Sequence, residues 1–547
     1  MMKRILSYLM MSGAVLWAAP SHLSAQDSLL LRDYRYIKQA DPWLTSGNAS
    51  ALTRYQRQSV AEASVYLRHQ NGGLVDFCES PRVLQAGANV ESFYRIGRRT
   101  VVFGNMSYDN FTGRDMGGSA FMHLGADHSL LASHYPFDIV EDSLTNTGKK
   151  HRDLFHLAGG VGVDIWKGYA LGARIDYTAA NYAKYKDLRH RNKLMDLQVT
   201  VGGYVPLLPW LNIGADYVYH RNTESVAFST YGSNDKVFKS LIDYAAFTGR
   251  VEQFGEEGYT ESNTEIPLFS DSHGANIQIE AILPAGLTFY NELSLSTVNG
   301  YYGRKSPNTI TFTNHHSSRF GYRGQLALHQ AQHLHQLTVT VSTEKMENNR
   351  TTYKSEKTDN NASYYQYFDD VRTGDKKWTD VSIGYTGHLN IRHELPQWTV
   401  KAMLELNHRK LTANLHPYFR TQKLNVSKWL CSATRHLPLA KGMLAATLQL
   451  TFQKGSGDAF ADGVYETPSD KQSTPPSMDA YLYREYQYLT AAQYGMGASV
   501  KYSFVFPQTR LNTFVQADVN YKRANSNYDS LTGRNRVALA IAVGCLF

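Results

Sequence analysis

The most informative stretch of the chain is its last eleven residues, Val537 to Phe547, which read V-A-L-A-I-A-V-G-C-L-F. Because side chains alternate between the two faces of a strand, this stretch has one large apolar face and one face of very small residues. The large face carries Val537, Leu539, Ile541, Val543, Cys545 and Phe547, and the small face carries Ala538, Ala540, Ala542 and Gly544. An uncapped apolar terminus is prone to aggregation in a soluble protein. Two interpretations fit: a central strand of a soluble sheet, or the closing strand of a membrane barrel.

The N-terminus predicts export. Lys3 and Arg4 precede an apolar stretch over residues 5–19, and Ser24-Ala25 offers a cleavage site before Gln26. That stretch is too short to span a membrane, and no later stretch approaches 18 consecutive apolar residues. We therefore predict a signal peptide over residues 1–25 of a Gram-negative protein. The mature chain is then periplasmic, secreted or an outer-membrane β-barrel.

Long alternating segments favour the barrel. Residues 443–454 place leucine, alanine and phenylalanine on one face and threonine and glutamine on the other, and residues 211–220, 274–281 and 511–521 repeat this pattern. A membrane-spanning strand needs about ten such residues, whereas soluble strands usually have five or six. Short turns alternate with long polar loops at 112–152, 223–272, 348–377 and 455–488. This asymmetry is typical of bacterial barrels, with turns in the periplasm and loops outside.

The predicted fold is all-β: a single transmembrane antiparallel barrel over residues 63–547. Counting strands between the turns gives nine upward and nine downward strands, the first starting near Ala63, although sixteen strands also fit. The polar segment from Gln26 to Glu62 precedes the barrel, and Ser46-Gly47-Asn48 is placed to cap a short helix at 49–52. This segment either enters the barrel from below or hangs in the periplasm.

Composition excludes several functions. The formal net charge of +8 is scattered without a basic stripe, so no nucleic-acid partner is predicted. The three cysteines lie far apart and imply no disulfide framework. His315-His316 in a predicted outer loop, and His329, His333 and His335 at a predicted turn, lack the partners of a metal site. We predict no metal, no cofactor and no catalytic residues.

The sequence contains no motif of a hydrolase, which argues against an enzyme. The nearest candidates are His220 with Asp216, which share a face, and His408 with Glu405, which lie on opposite faces. Neither spacing is diagnostic of catalysis.

Three motifs support the barrel by resemblance. They are Asp41-Pro42-Trp43, Asn48-Ala49-Ser50-Ala51-Leu52, and Gly97 to Gly104 leading into Ser107-Tyr108. Together with the terminal Phe547, they make the whole mature chain resemble an uncharacterised outer-membrane β-barrel family of the Bacteroidota type. The resemblance implies the architecture and location in the outer membrane, and it supplies no activity. It also implies that Val543, Cys545 and Phe547 form a signal for the barrel-assembly machinery, and that lipid surrounds the barrel.

The predicted function is passage of a solute across the outer membrane, by a porin-like or partner-gated barrel. The predicted lumen-lining residues carry both signs of charge: Arg174, Asp176, Asp216, Glu280, Arg323, Lys401, Glu405, Arg409 and Asp518. Barrels of about 18 strands leave an aqueous channel. Because no long segment precedes the strands, we expect no separate energy-coupled plug domain. The alternative is a non-conducting scaffold or accessory barrel beside a lipoprotein or uptake complex, and a barrel hydrolase is third.

Overall fold

The computed structural model describes residues 33–56, 59–122, 135–141, 143–231, 237–254, 265–306, 309–357, 359, 363–439, 442–505 and 511–546. The predicted signal peptide and the terminal Phe547 lie outside the described residues.

Eighteen strands form one closed antiparallel sheet. Each barrel strand pairs with the barrel strands before and after it in the chain, and the strands in the loops are not part of this sheet. The last barrel strand also pairs with the first, from Glu62–Leu546 to Asn71–Val537. The barrel strands are β1 (Ser59–Asn71), β2 (Arg82–Ile96), β3 (Thr100–Met116), β5 (Gly148–Trp166), β6 (Tyr169–Lys184), β7 (Arg189–Leu208), β8 (Leu211–Ser229), β11 (Glu265–Leu283), β12 (Leu287–Gly303), β13 (Thr311–Gln330), β14 (His333–Arg350), β17 (Val371–Arg392), β18 (Leu395–Leu415), β19 (Tyr418–Leu439), β20 (Gly442–Val464), β21 (Gln493–Val505), β22 (Asn512–Ala524) and β23 (Asn535–Leu546). The predicted barrel is confirmed, with eighteen strands rather than sixteen.

The other elements lie in the loops and before the barrel. Three loop strands form a small sheet and two form a hairpin: β4 (Asp138–Glu141), β9 (Phe238–Ala245) and β10 (Thr248–Phe254), then β15 (Tyr353–Lys357) and β16 (Ser363–Tyr367). The helices are Tyr34–Gln39 and Asp479–Thr490, with 3₁₀ helices at Pro42–Thr45, Ala49–Arg54 and Pro284–Gly286. Among the described helices, none is long and apolar enough to cross a membrane.

Three sequence predictions differ from the structure. The first strand begins at Ser59, four residues before Ala63. His315 and His316 lie within β13 rather than in a loop, because the strands continue beyond the ten residues that a membrane requires and become polar there. The predicted loop 455–488 contains the end of β20 and most of the helix Asp479–Thr490. The helix buries Tyr481, Leu482, Tyr488 and Leu489, which lie on one face of a helix. A search for residues that alternate with period two overlooks this spacing.

The outer surface of the barrel is apolar. On the closing strand β23, Leu539, Ile541 and Val543 expose 43–58% of their surface, while the intervening alanines face the interior. Trp166 and Trp210 are also more than half exposed and lie beside the short turns. Exposed apolar residues in a continuous band, with aromatic residues at its edge, suit a barrel surrounded by lipid.

Candidate functional site

The polar segment before the barrel, residues 33–56, is ordered by three capping residues. Asp33, Asp41 and Asn48 each accept a hydrogen bond from a backbone N–H in the first turn of the helix that follows. The predicted cap at Asn48 is confirmed, since its side-chain oxygen accepts from the N–H of Ser50. The helix after it is a 3₁₀ helix, Ala49–Arg54.

This N-terminal segment contacts strands all round the barrel. Its polar contacts join Lys38 to Glu91 on β2, Asn48 to the Gly203 carbonyl on β7, Trp43 to Glu280 on β11, Thr45 to Arg323 on β13, and Gln39 to Lys401 on β18. These strands stand on opposite sides of a closed ring, so the segment crosses the space that the ring encloses. Arg95, which precedes the first short turn, donates to the carbonyls of Thr53 and Tyr55. The segment therefore lies at the short-turn end.

A patch of glycines receives the 3₁₀ helix Ala49–Arg54. We call this patch the glycine seat; it consists of Gly160 and Gly162 on β5, Gly172 on β6, Gly202 on β7 and Gly214 on β8. A Cβ atom on Gly172 would lie 2.2 Å from the backbone nitrogen of Ser50, and one on Gly162 would lie 2.5 Å from the Ala49 carbonyl oxygen. The helix backbone thus approaches the barrel wall at distances that only glycine permits.

Trp43 anchors the segment beside the glycine seat. It is 1% exposed, packs edge-on against Tyr204 and Tyr290 at 5.1 and 5.2 Å, and donates its indole N–H to Glu280 at 3.0 Å. Arg54 lies 3.0 Å from the same carboxylate and 3.1 Å from Asp41. Burial alone would lower the pKa of Arg54, but these two carboxylates raise it above the ordinary value. A charged arginine therefore joins the segment to Glu280.

At the opposite end, loops fold across the mouth of the barrel. The hairpin formed by β9 and β10 is rooted between β8 and β11, and we call it the cap hairpin. At its tip the Phe247 carbonyl accepts from the N–H of Met478 at 2.9 Å, and the Ala246 carbonyl accepts from Arg420 on β19 at 3.5 Å. Phe247 packs edge-on against Phe77 at 4.9 Å. The cap hairpin therefore reaches the far wall, over an apolar cluster that includes Phe121, Phe137, Phe228, Ile242, Tyr244 and Tyr302.

The cap hairpin buries a carboxylate, and its stability should depend on pH. Burial raises the pKa of Asp243 to about 7 against the lowering effect of Lys376, and Asp138 and Glu485 add to the rise. An unfolded aspartate titrates near pH 4. The raised pKa therefore stabilises the folded hairpin fully below about pH 4, and this contribution is lost as the pH rises through about 7. Hydrogen exchange of the hairpin amides, corrected for intrinsic rates, should show less protection at pH 8 than at pH 5. Asp243→Asn should flatten the difference, and protection that rises with pH would contradict the assignment.

The nine predicted lumen residues lie on the strand faces that the segment and the loops contact. Glu280, Arg323 and Lys401 contact the N-terminal segment. Arg409 pairs with Glu485 of the loop helix at 2.6 Å. Asp176 accepts a hydrogen bond from Arg174, and Asp216 accepts from the amides of Asn276 and Gln278. Asp518 accepts from Gln516, and Glu405 lines a chamber inside the barrel. The structure brings Glu280, Arg323 and Lys401 to the N-terminal segment and leaves the other six away from it. Their role in lining a solute path stays a prediction.

The candidate catalytic pairs do not form. His220 contacts Asp196 at 2.8 Å, and Asp216 bonds to two amides instead. His408 contacts Asn425 at 2.7 Å. Within the described part of the chain, no three His, Cys, Asp or Glu side chains are grouped as metal ligands would be.

The glycine seat was missed at the sequence level. Each of its glycines lies at an inward position of an alternating strand, and Gly162 and Gly172 face the backbone of the small residues Ala49 and Ser50. A search for inward glycines on consecutive strands would have found the seat, but not what occupies it.

A closed ring of eighteen antiparallel strands, with an apolar outer surface and a polar interior, defines an outer-membrane β-barrel. Within that class, the chain belongs to the family of unknown function DUF6850, whose model matches residues 49–547. The match begins at Ala49, the first residue of the 3₁₀ helix that lies on the glycine seat, and it therefore includes that helix and the whole barrel.

Comparison with other proteins adds little beyond the fold. No curated protein matches the sequence. Among solved structures, the chain is similar to BauA, the ferric preacinetobactin receptor of Acinetobacter baumannii, with 8% identity, 89% of this chain and 80% of that chain covered, and a TM-score of 0.37. It is similar to a mutant of the ferric enterobactin receptor PfeA of Pseudomonas aeruginosa, with 9% identity, 90% and 80% covered, and a TM-score of 0.39. It is also similar to the outer membrane transporter YddB of Escherichia coli, with 7% identity, 90% and 81% covered, and a TM-score of 0.39. Likeness at this level identifies no substrate.

Proposed function

We propose that the protein passes a solute across the outer membrane and is closed at rest by its N-terminal segment. A partner on the periplasmic side, such as a lipoprotein or a component of an uptake complex, would release the segment. The observation that carries this proposal is the contact between the segment and the barrel wall, which combines hydrogen bonds and ion pairs with apolar packing and rests on the glycine seat.

The hydrogen bonds of this contact can break and re-form when the segment moves, whereas its apolar contacts become exposed to water when the segment leaves. Hydrogen bonds exchanged with water contribute only about 0.5–1.5 kcal/mol each to stability, so such contacts can be replaced by water when the segment leaves. The barrel itself keeps its closed ladder, because no strand pairing passes through residues 33–56. Release of the segment therefore leaves the wall intact and an interior wide enough for water.

The alternative is a non-conducting scaffold or accessory barrel. The scaffold is favoured because both ends of the barrel are covered. The N-terminal segment covers the short-turn end, and the cap hairpin covers the other. Since neither candidate catalytic pair forms, we propose no catalytic role.

A reversible cross-link tests the proposed function. A Cβ atom on Gly160 would lie 3.7 Å from the Cβ of Ala49, within the usual span of a disulfide. We expect the Ala49→Cys/Gly160→Cys protein, with Cys78, Cys431 and Cys545 replaced by serine, to be silent in planar bilayers when oxidised. After reduction, urea below the concentration that unfolds the barrel should produce openings that disappear when the urea is removed.

The Ala49→Cys single variant is the matched control and should open in urea under both redox conditions. Openings from the oxidised double variant would show that the path bypasses the segment. Silence of the reduced and oxidised proteins in urea would favour the scaffold.

A further inference from the structure

A chamber of about 720 Å³ lies inside the barrel beside the loops of the outer mouth. Its walls come from β1 to β3, β5 and β18 to β23, and its roof includes Cys78, Ser119 and Tyr488 from the loops. Ligand sites of small molecules usually measure about 300–1,000 Å³. The chamber therefore has the size to hold a solute of a few hundred daltons.

Small residues create this space. Gly495 and Gly497 on β21 and Ala538 on β23 line the chamber. They belong to the inward faces of two strands that flank β22 near the closure of the barrel, where β23 presents only alanine and glycine from Ala538 to Gly544. The small face of the closing strand thus leaves room on one side of the interior.

Positive charge dominates the lining. The cationic lining residues are Arg68, Arg152, Lys428, Lys522 and Arg536, and the anionic ones are Glu79 and Glu405. Arg152 is paired with Asp109 at 2.8 Å, and Arg536 lies 3.8 Å from Glu79. Arg68 is exposed to the chamber and forms no ion pair with any residue that the structure describes. An enclosed site with excess positive charge attracts an anion.

Side-chain amides provide most of the remaining polar lining. They are Gln70, Gln85, Gln449, Gln453, Gln493 and Asn520. Gln493 is 1% exposed, and its amide oxygen has no hydrogen-bond partner within the described chain. Asn520 is exposed and Gln449 is half-buried at the chamber wall, and neither forms a hydrogen bond with the described part of the chain. An amide both donates and accepts, which matches the hydroxyl groups of a solute.

We propose that this chamber binds a small organic anion that carries several hydroxyl groups, of the sugar-acid class. Arg68 contacts the anionic group, and the amides of Gln449, Gln493 and Asn520 contact the hydroxyls. This inference rests on the proposed function, because it names the class of solute that enters the barrel.

Binding to the purified full-length protein in detergent tests the inference without any conductance measurement. By isothermal titration calorimetry, glucuronate should bind, and glucose, its neutral counterpart of similar size, should bind at least tenfold more weakly. Arg68→Gln should weaken glucuronate binding about ten- to a hundredfold, as expected for loss of a charged hydrogen bond. Arg221→Gln, which changes an exposed arginine on β8 that does not line the chamber, should leave binding unchanged. Ala538→Trp should abolish binding by filling the space.

Several outcomes would overturn the inference. These are no binding of glucuronate, equal binding of glucose, no effect of Arg68→Gln, or equal binding of chloride, which would remove the role of the hydroxyl groups. Each leaves the gated passage untouched, because the cross-linked protein tests that separately.

Discussion

Removal of residues 26–55 should convert a silent protein into one with steady, large openings in planar bilayers. The deletion removes the contacts that residues 33–55 make across the short-turn end, including the indole of Trp43 and the 3₁₀ helix on the glycine seat. It leaves β1 complete from Ser59, so β1 keeps both of its partners, β2 and β23. Since eighteen-stranded barrels are wide enough for an aqueous channel, the open interior should conduct ions.

The end point of this deletion is critical. A deletion that continues through Glu62 also removes the first pair between β1 and β23, Glu62 with Leu546, and the first four pairs between β1 and β2. We expect that longer variant to assemble poorly, which separates loss of the segment from loss of the barrel seam. If the shorter variant folds and stays silent, the cap hairpin should be removed as well. Silence after both deletions would contradict a passage through the barrel.

Gly172→Leu should open the barrel while the whole chain is retained. A Cβ at residue 172 would lie 2.2 Å from the Ser50 nitrogen, so the side chain and the 3₁₀ helix cannot occupy the same space. Overpacking of this kind typically costs about 1–3 kcal/mol, which shifts the occupancy of the seated state roughly five- to 150-fold. The backbone pairing of β6 is unchanged, so the barrel should still assemble. The measurement is the frequency of openings, together with protease cleavage of the released segment.

Gly159→Leu is the matched control for that substitution. Gly159 lies on β5 facing outward, with no atom within 4 Å of a Cβ placed there, so the same change should have no effect on openings. Gly172→Leu combined with the deletion of residues 26–55 should conduct no more than the deletion alone. A silent Gly172→Leu protein whose segment stays protected from protease would show that the glycine seat does not hold the segment closed.

The barrel was predictable because its signal is local and repeated. A strand with lipid on one side and a polar interior on the other alternates with period two, and the turns divide these strands into eighteen. The predicted strand ends were least accurate where the surroundings of a strand change from lipid to water. These places are Ser59, where β1 begins in a polar sequence, and His315, where β13 has left the membrane. The helix Asp479–Thr490 was missed because its period is 3.6 residues rather than two.

The sequence by itself determined the barrel and the outward face of its closing strand, because each depends on residues close together in the chain, and it narrowed the strand count to sixteen or eighteen. Only the tertiary structure decided where residues 33–56 lie. Ala49 and Gly172 are far apart in sequence, and neither is unusual until the barrel closes and brings them together. The chamber has the same origin: Arg68, Gln449 and Ala538 come from strands that meet only because β1 pairs with β23. Closure of the ring creates both sites, and closure is a property of all eighteen strands together.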